Sequence, residues 1–553
     1  RSLSASEWYD GCYSHPVGTI LITPPWNFPY AIPAGGCLAA LMAGNPVVLK
    51  PAPETVATAW HLAQQLWRAG VPKQVLQFLP VEDGPVGQSL VSDERVAAVI
   101  LTGAYATAEL FRSWRPEMKL YAETSGKNCL IITSSADLDL AVKDLVRGAF
   151  GHAGQKCSAT SLAIVMRDVY ESEHFRNQLR DAAASLHVSS AWDLSADITP
   201  MVRPPLQDLE RGLTQLDEGE SWLLEPQMVT GNSHLWSPGI RLNVTPGSWF
   251  QQTECFGPVL GLIPVDSLKE AIAVQNNSKF GLTGGIHSLE PSEIEQWKNQ
   301  VEVGNAYVNR TTTGAIVQRQ PFGGWKNSSI GPGAKAGGPN YVATFRNWFN
   351  ESEPILRAAL PDEIQHLIDH CCSLLESESQ IAYLTSAAGS YWFWWRQHFS
   401  RMHDPSKILG EDNHFLYRPL AFITLRLPEE EINPQEIIQI AIACRILNIP
   451  FEISVESNSK WLDAFHSAST TQILIETTEQ LLTRIRERKQ GAIRISRSLD
   501  SQTRSRLNTT GHRIITENCL YNGRIELLRY LKEQSITTTT HRHGNVQENL
   551  GSN

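Results

Sequence analysis

Paired cysteines are missing from this chain: its nine, at 12, 37, 129, 157, 255, 371, 372, 444 and 519, show no C-x-x-C spacing. That excludes a zinc-ribbon site and a disulfide framework, and leaves reduced thiols. Basic residues are in deficit, 47 Lys and Arg against 57 Asp and Glu for a net charge of −10, so neither nucleic acid nor an anionic membrane surface is the expected partner. No apolar run reaches the roughly 18 to 20 residues of a membrane helix, and the first residues carry no charged-then-hydrophobic leader. A cytoplasmic protein that binds a small molecule fits this balance. Histidines 398, 403, 541 and 543 have no companion ligands at metal-site spacing, so no metal is expected. The glycine-rich dinucleotide fingerprint is also absent; its nearest match, "GPGAKA" at 331 to 336, reads as neither following a strand nor opening a helix, and is no phosphate cradle.

What the 553 residues do have is alternation. "VGTILIT" precedes a helical pattern around 30 to 43, "PVVLK" precedes "ETVATAWHLAQQLWRAG", and "QVLQFL", "VAAVILTG", "YATAELFRSW" and "LYAET" follow. Short apolar runs alternating with helices predict an α/β protein with a doubly wound parallel sheet, whose ligands sit at the carboxyl ends of the strands. That rule selects Trp26, Asn27 and Phe28, then Lys50, then Thr102 and Gly103, then Glu123. A second α/β segment covers about 127 to 345, and the composition shifts near 350. The tail has its own alternation in "AFITLRL", helix 434 to 448, "PFEISV", "QILIET", helix 477 to 489, "AIRIS" and "RIITENC", without a glycine-rich turn. Its last residues, "THRHGNVQENLGSN", are polar and expected to be loose. The aromatic run "YWFWW" at 391 to 395 reads as packing.

Chemistry concentrates in "GHAGQKCSAT" at 151 to 160. Gly154 and Ser158 leave room for a carbonyl compound near both the sulfur of Cys157 and its backbone N–H, and a thiolate there attacks an aldehyde. A buried cysteine of inert, structural kind has the same local spelling. His152 invites a thiol-hydrolase reading, but no third triad member is identifiable.

"PPWNFP", "VVLKPAPET", "LTG", "AETSGKN", "GQKCSA" and "ECFGPV", in this order, closely resemble the aldehyde dehydrogenase superfamily over about 15 to 345. "FGHAGQKCSAT", "TTGAIVQRQPFGGWKNSSIGPGAKAGGPNY" and "NGRIELLRYLKEQSITTTTHRHGN" resemble the 1-pyrroline-5-carboxylate dehydrogenases, many of which form the second half of bifunctional proline utilization A proteins. The resemblance implies a Rossmann-type NAD domain over 1 to 125, a catalytic α/β domain over 126 to 349, and a degenerate Rossmann-like covering domain over 350 to 553. It implies NAD-dependent oxidation of glutamate γ-semialdehyde to glutamate, in proline catabolism. Cys157 matches the nucleophile, Asn27 and the Cys157 N–H the oxyanion donors, and Glu123 the general base for thioester hydrolysis. Lys50 matches the lysine on the adenosine ribose with Trp26 in the same wall, Thr102 and Gly103 belong to the "LTG" motif, Glu254 matches the carboxylate on the nicotinamide ribose, and Phe256 packs nearby. Gly314 and Ala315 match the backbone donors to the substrate carboxylate, with Ser158 a polar contact and Phe322 an apolar wall. Arg319 and Lys326 add positive charge there without an assigned place.

Two departures touch the cofactor: Pro53 and then Glu54 follow Lys50 where many relatives have an acidic residue three positions on, and Ala104 stands where many have serine. NAD, the family's usual choice, is expected, and NADP stays open. Relatives carry over a hundred residues before "VGTILITPPWNFP", where this chain has 16, so a truncated protein is expected, with a homo-oligomer and a proline dehydrogenase, upstream or separate, as partners. The competing expectations are a weakly active scaffold or covering module, and an aldehyde dehydrogenase for another semialdehyde.

Overall fold

The apolar runs of the first 125 residues form a six-stranded sheet. Thr19–Thr23, Val47–Leu49, Leu76–Phe78, Val96–Thr102 and Lys119–Glu123 run parallel in the spatial order third, second, first, fourth, fifth. Ser329–Ile330 returns from far downstream to pair antiparallel with the last of them. This is a computed structural model, and it describes residues 9–355, 357–427, 433–488, 491–495, 500–542 and 545–546. Strand side chains alternate faces. Ile20 and Ile22 therefore pack with Cys37, Ala40 and Leu62 from the helices Ala31–Met42 and Val56–Arg68, while Leu21 packs with Val99, Leu101 and Phe111 on the other side. Both faces are covered, which is why these strands read as unbroken apolar runs. The order reverses between Thr23 and Thr102, so a crevice opens at that switch point.

The second sheet has nine strands, ordered Glu411–Pro419, Leu531–Thr539, Asn305–Val308, Thr283–His287, Asn128–Ile132, Thr160–Met166, Val259–Val265, Gly239–Leu242, Ser221–Leu224. The inner strands are parallel and the two outermost are antiparallel to their neighbours. Asp137 caps the helix Leu138–Phe150, which leads into the Cys157 loop, by accepting from the Leu140 N–H.

After residue 350 the chain builds a third sheet of five parallel strands, Gln472–Ile475, Phe451–Val455, Ile423–Arg426, Ala492–Ile495 and Arg513–Ile515, again in the order third, second, first, fourth, fifth. Tyr391 and Trp394, in the helix Glu378–Trp394, are buried in its core, so the aromatic run is packing. Two strands of this tail, Glu411–Pro419 and Leu531–Thr539, lie in the second sheet, and Cys12–Pro16 pairs with Arg346–Asn350. Chain segment and structural unit thus do not coincide. Of the end read as loose, His541–Arg542 pairs with Asn545–Val546, and 543–544 and 547–553 lie outside the described residues.

Candidate active site

Cys157 follows three consecutive residues in left-handed conformation, His152 at φ 62°, Ala153 at φ 52° and Gly154 at φ 68°. For the two non-glycines this costs about 1–2 kcal/mol each, and packing must hold it. A Cβ on Gly154 would run into the Gly257 carbonyl. The glycine therefore serves a backbone contact with the 256–258 turn, where the sequence suggested room for a ligand. Asn128 fixes the other side: its Nδ2 donates to the Cys157 carbonyl at 2.7 Å and to Ala159 O at 2.9 Å, and its Oδ1 accepts from Thr283 N at 3.0 Å. Thr312 donates to the Ser158 carbonyl at 2.9 Å, so the 312–322 segment touches the nucleophile loop directly.

Asn27 is buried in the turn that follows the strand Thr19–Thr23, and its Nδ2 donates one hydrogen to Gln155 O at 3.0 Å, two residues before the cysteine. The second amide hydrogen remains for a ligand. His152 Nε2 lies 3.1 Å from the Asn27 carbonyl oxygen and its ring stacks on Phe28 at 5.6 Å, which makes it a brace for the Asn27 turn. Burial and Lys156 hold it below the ordinary histidine range.

Glu123 ends the strand Lys119–Glu123, and its charge acts on Cys157. Burial pushes its carboxyl up to about 7, against the pull of Lys335. Burial, then the Glu123 and Glu254 carboxylates, push the Cys157 thiol well above its ordinary value, although the N–H groups of Ser158 and Cys157 favour the thiolate. The residue keeps partial solvent contact. Near neutral pH Glu123 is thus partly carboxylate, the condition a general base needs, while the resting thiol keeps its proton. Glu254 accepts from the Gly126 N–H at 2.8 Å, and burial raises it despite Ser125, Gly126 and Lys127.

On the cofactor side, Trp26 and Phe256 meet edge to face at 5.7 Å, joining the two sheets, and Phe256 holds a left-handed φ of 59°. Lys50 is buried, and its Nζ pairs with Asp83 at 2.8 Å. Asp83 is a residue the sequence did not single out. Glu54 is bound by Arg203 of the second segment. Gly103 N donates to the Glu123 carbonyl at 3.1 Å, so the "LTG" turn and the base are joined through backbone. The next helix, Tyr105–Trp114, has no side-chain cap from Ala104; Ser125 Oγ accepts from Tyr105 N instead, at 3.2 Å. A dinucleotide fits this donor set: a buried ammonium, a helix N-terminus and an aromatic wall at one switch point. "GPGAKA" does follow the two-residue strand Ser329–Ile330, which corrects the sequence reading, but it opens no helix. Its Lys335 is buried, donating to Asn305 Oδ1 at 2.8 Å and to the Gly323 carbonyl.

The 314–318 loop is exposed, with Gly314 at φ 89°. Phe322 is half-buried and bridges Ala336. Arg319 pairs with Glu411 at 2.7 Å and Lys326 with Glu302 at 3.0 Å, so the positive charge is spent on protein partners. Sequence reasoning missed Asn128, Asp83, Gln320, Glu411 and Asn413, whose contacts join segments far apart in the chain. Among the other histidines, the His398 and His403 rings lie 4.5 Å apart and tilted by 38°, His541 Nδ1 lies 3.1 Å from Gly410 O, and His543 lies outside the described residues. No group of three or more His, Cys, Asp or Glu able to hold a metal occurs among the described residues. No helix among them is long and apolar enough to cross a membrane.

The chain belongs to the aldehyde dehydrogenase family, whose model matches residues 8–348. It is similar to 1-pyrroline-5-carboxylate dehydrogenase of Oceanobacillus iheyensis, 34% identical over 344 residues, 61% of this chain and 66% of that one, and to the Bacillus pumilus enzyme of the same name, 36% identical over 342 residues, 59% and 65%. Among solved structures, Proline Utilization A of Corynebacterium freiburgense matches 97% of this chain and 51% of its own, with a TM-score of 0.85 and 41% identity. A Thermus 1-pyrroline-5-carboxylate dehydrogenase with bound NAD matches 61% of this chain and 66% of its own, with a TM-score of 0.56 and 31% identity. The chain thus spans about two thirds of the curated relatives and about half of that Proline Utilization A.

Proposed function

We propose that the chain oxidises L-glutamate γ-semialdehyde to L-glutamate with NAD as hydride acceptor, in the cytoplasm, on aldehyde supplied by a proline-oxidising activity. The observation that carries this reading is the bond from the Asn27 amide to Gln155 O, which sets an oxyanion donor at the Cys157 loop, together with a Glu123 carboxyl that burial raises to about 7 and whose charge is felt at the thiol. The Cys157 thiol gives its proton to water, and the thiolate sulfur, favoured by the Ser158 and Cys157 N–H groups, adds to the aldehyde carbon. The carbonyl oxygen takes the negative charge, and the free Asn27 amide hydrogen and the Cys157 N–H bind it; one such donor is worth about 3–4 kcal/mol. Lys50, the Tyr105–Trp114 helix end, Trp26 and Phe256 would hold NAD, with Glu254 on the nicotinamide ribose. When bound, its nicotinamide would accept the hydride leaving that carbon, which leaves a thioester on Cys157. Glu123 then takes a proton from water as the water attacks, and acid and thiol are released. Gly314 and Ala315 N–H groups bind the substrate α-carboxylate, Ser158 adds a polar contact, and Phe322 covers its methylenes. Names of similar proteins support the choice of aldehyde.

The test is reduced-cofactor absorbance with the semialdehyde and NAD. Cys157→Ala should abolish turnover, and Glu123→Gln should still release about one equivalent of reduced cofactor per chain before stalling, because it blocks hydrolysis alone. Turnover surviving in Cys157→Ala overturns the reading.

A further inference from the structure

The loop at 314–318 gains little from packing. Its residues are exposed, Val317 being 70% open to solvent, and two of them, Gly314 and Gln318, sit at positive φ. Its order comes from backbone bonds, Gln318 N–H to Gly337 O at 3.2 Å and Gln320 N–H to Ile316 O at 2.8 Å, and from its ends. Both ends meet the same strand of the tail. Glu411 Oε1 lies 3.1 Å from Arg310 Nη1, before the loop, and its Oε2 lies 2.7 Å from Arg319 Nη2, after it. Two residues along the strand, on the same face, buried Asn413 accepts from Gln320 Nε2 at 2.7 Å. Gln320 Oε1 in turn accepts from the Ile316 N–H at 3.1 Å, so the line of bonds reaches the loop's crown. Thr537, on the neighbouring tail strand, also donates to Asn413 Oδ1, at 3.0 Å, and Asn413 Nδ2 reaches Glu411 Oε2 at 3.2 Å.

We propose that Glu411 is a positioning residue for substrate recognition: its carboxylate clamps Arg310 and Arg319 and thereby holds the 314–318 loop, with its backbone N–H groups, in the shape that receives a carboxylate. The proposal rests on the reading that this loop binds the substrate's α-carboxylate. Asn413 extends the clamp inward, and the tail thus governs which aldehydes the site accepts. The ion pair stays charged at neutral pH, because Asn413 and the two arginines hold Glu411 below its ordinary value although its partial burial pulls the other way.

Glu411→Gln preserves shape and removes the charge. It should raise KM for the semialdehyde about tenfold with kcat nearly unchanged, since hydrogen bonds to charged groups carry effects of that size. For propanal, which has no carboxylate, kcat/KM should stay within about twofold. Hydrogen exchange in 312–320 should quicken in the same variant while exchange in the Thr160–Met166 strand does not. Equal losses on both aldehydes, or unchanged KM and exchange, overturn the proposal. Arg319→Met, which leaves the Arg310 pair in place, should give a smaller rise of the same kind; no rise at all there also counts against it. The anchor-loop reading fails separately, if the unaltered chain shows no preference for the semialdehyde over propanal.

Discussion

Lys335 is the side chain through which the basicity of Glu123 can be shifted without touching either reacting group. It is buried, its backbone N–H donates to Glu533 Oε2 at 2.8 Å, and its charge is among the influences that lower the Glu123 carboxyl. Burial holds the ammonium below its own ordinary value, opposed by Glu533 and Glu123. Glu123 works as its carboxylate, so hydrolysis speeds up as pH rises through its pKa of about 7. Removing the cation lifts that pKa, and Lys335→Met should therefore move the rising limb of the kcat–pH profile to higher pH, while Lys335→Arg should leave it nearer its original place. A limb that stays put in Lys335→Met would show that Lys335 does not act on the base. Nothing local in "GPGAKAGGPN" reveals this, because the lysine's charge reaches Glu123 only once Ser329 pairs with Glu123 and the chain folds back. Glu123 itself was legible: it ends an apolar run, and strand ends carry the ligands of such sheets. Its near-neutral carboxyl was not legible, since burial is a property of the fold.

At the scale of elements, the turn before Cys157 depends on a backbone that most residues resist. Gly154→Ala would place a methyl against the Gly257 carbonyl and force a side chain into φ 68°. A shift of about an ångström in the nucleophile costs on the order of a hundredfold in rate. Turnover of Gly154→Ala should fall by about that much, with slower alkylation of Cys157 by iodoacetamide; wild-type rates in both assays would mean the turn accommodates the change. Strands buried on both faces were read from sequence almost to the residue, as in "VGTILIT" for Thr19–Thr23 and "AIRIS" for Ala492–Ile495. Glu411–Pro419 and Leu531–Thr539 escaped: "EDNHFLYRP" and "LKEQSITTT" are rich in polar residues, and their place is set by pairing with strands far away in the chain.

For the whole molecule, the tail is structurally part of the catalytic unit. Leu531–Thr539 pairs along Asn305–Val308, and the Trp325 indole donates to the Glu533 carbonyl at 2.8 Å. Deleting residues 360–553 would bare that strand edge and apolar surface, which invites association. The deleted chain should elute as aggregate in size-exclusion chromatography and show no reduced-cofactor formation; a monomeric, active product would make the tail dispensable. The doubly wound rhythm of the tail was visible in the sequence, whereas its invasion of the neighbouring sheet was not, since local periodicity specifies a strand and never its partner.

The late strand also orders events in time. Domains commonly fold in turn as they leave the ribosome, yet the layer bearing Cys157 stays open on one flank until residue 539 has been made. A chain that ended before Leu531 would therefore leave the strand Asn305–Val308 without its outer partner.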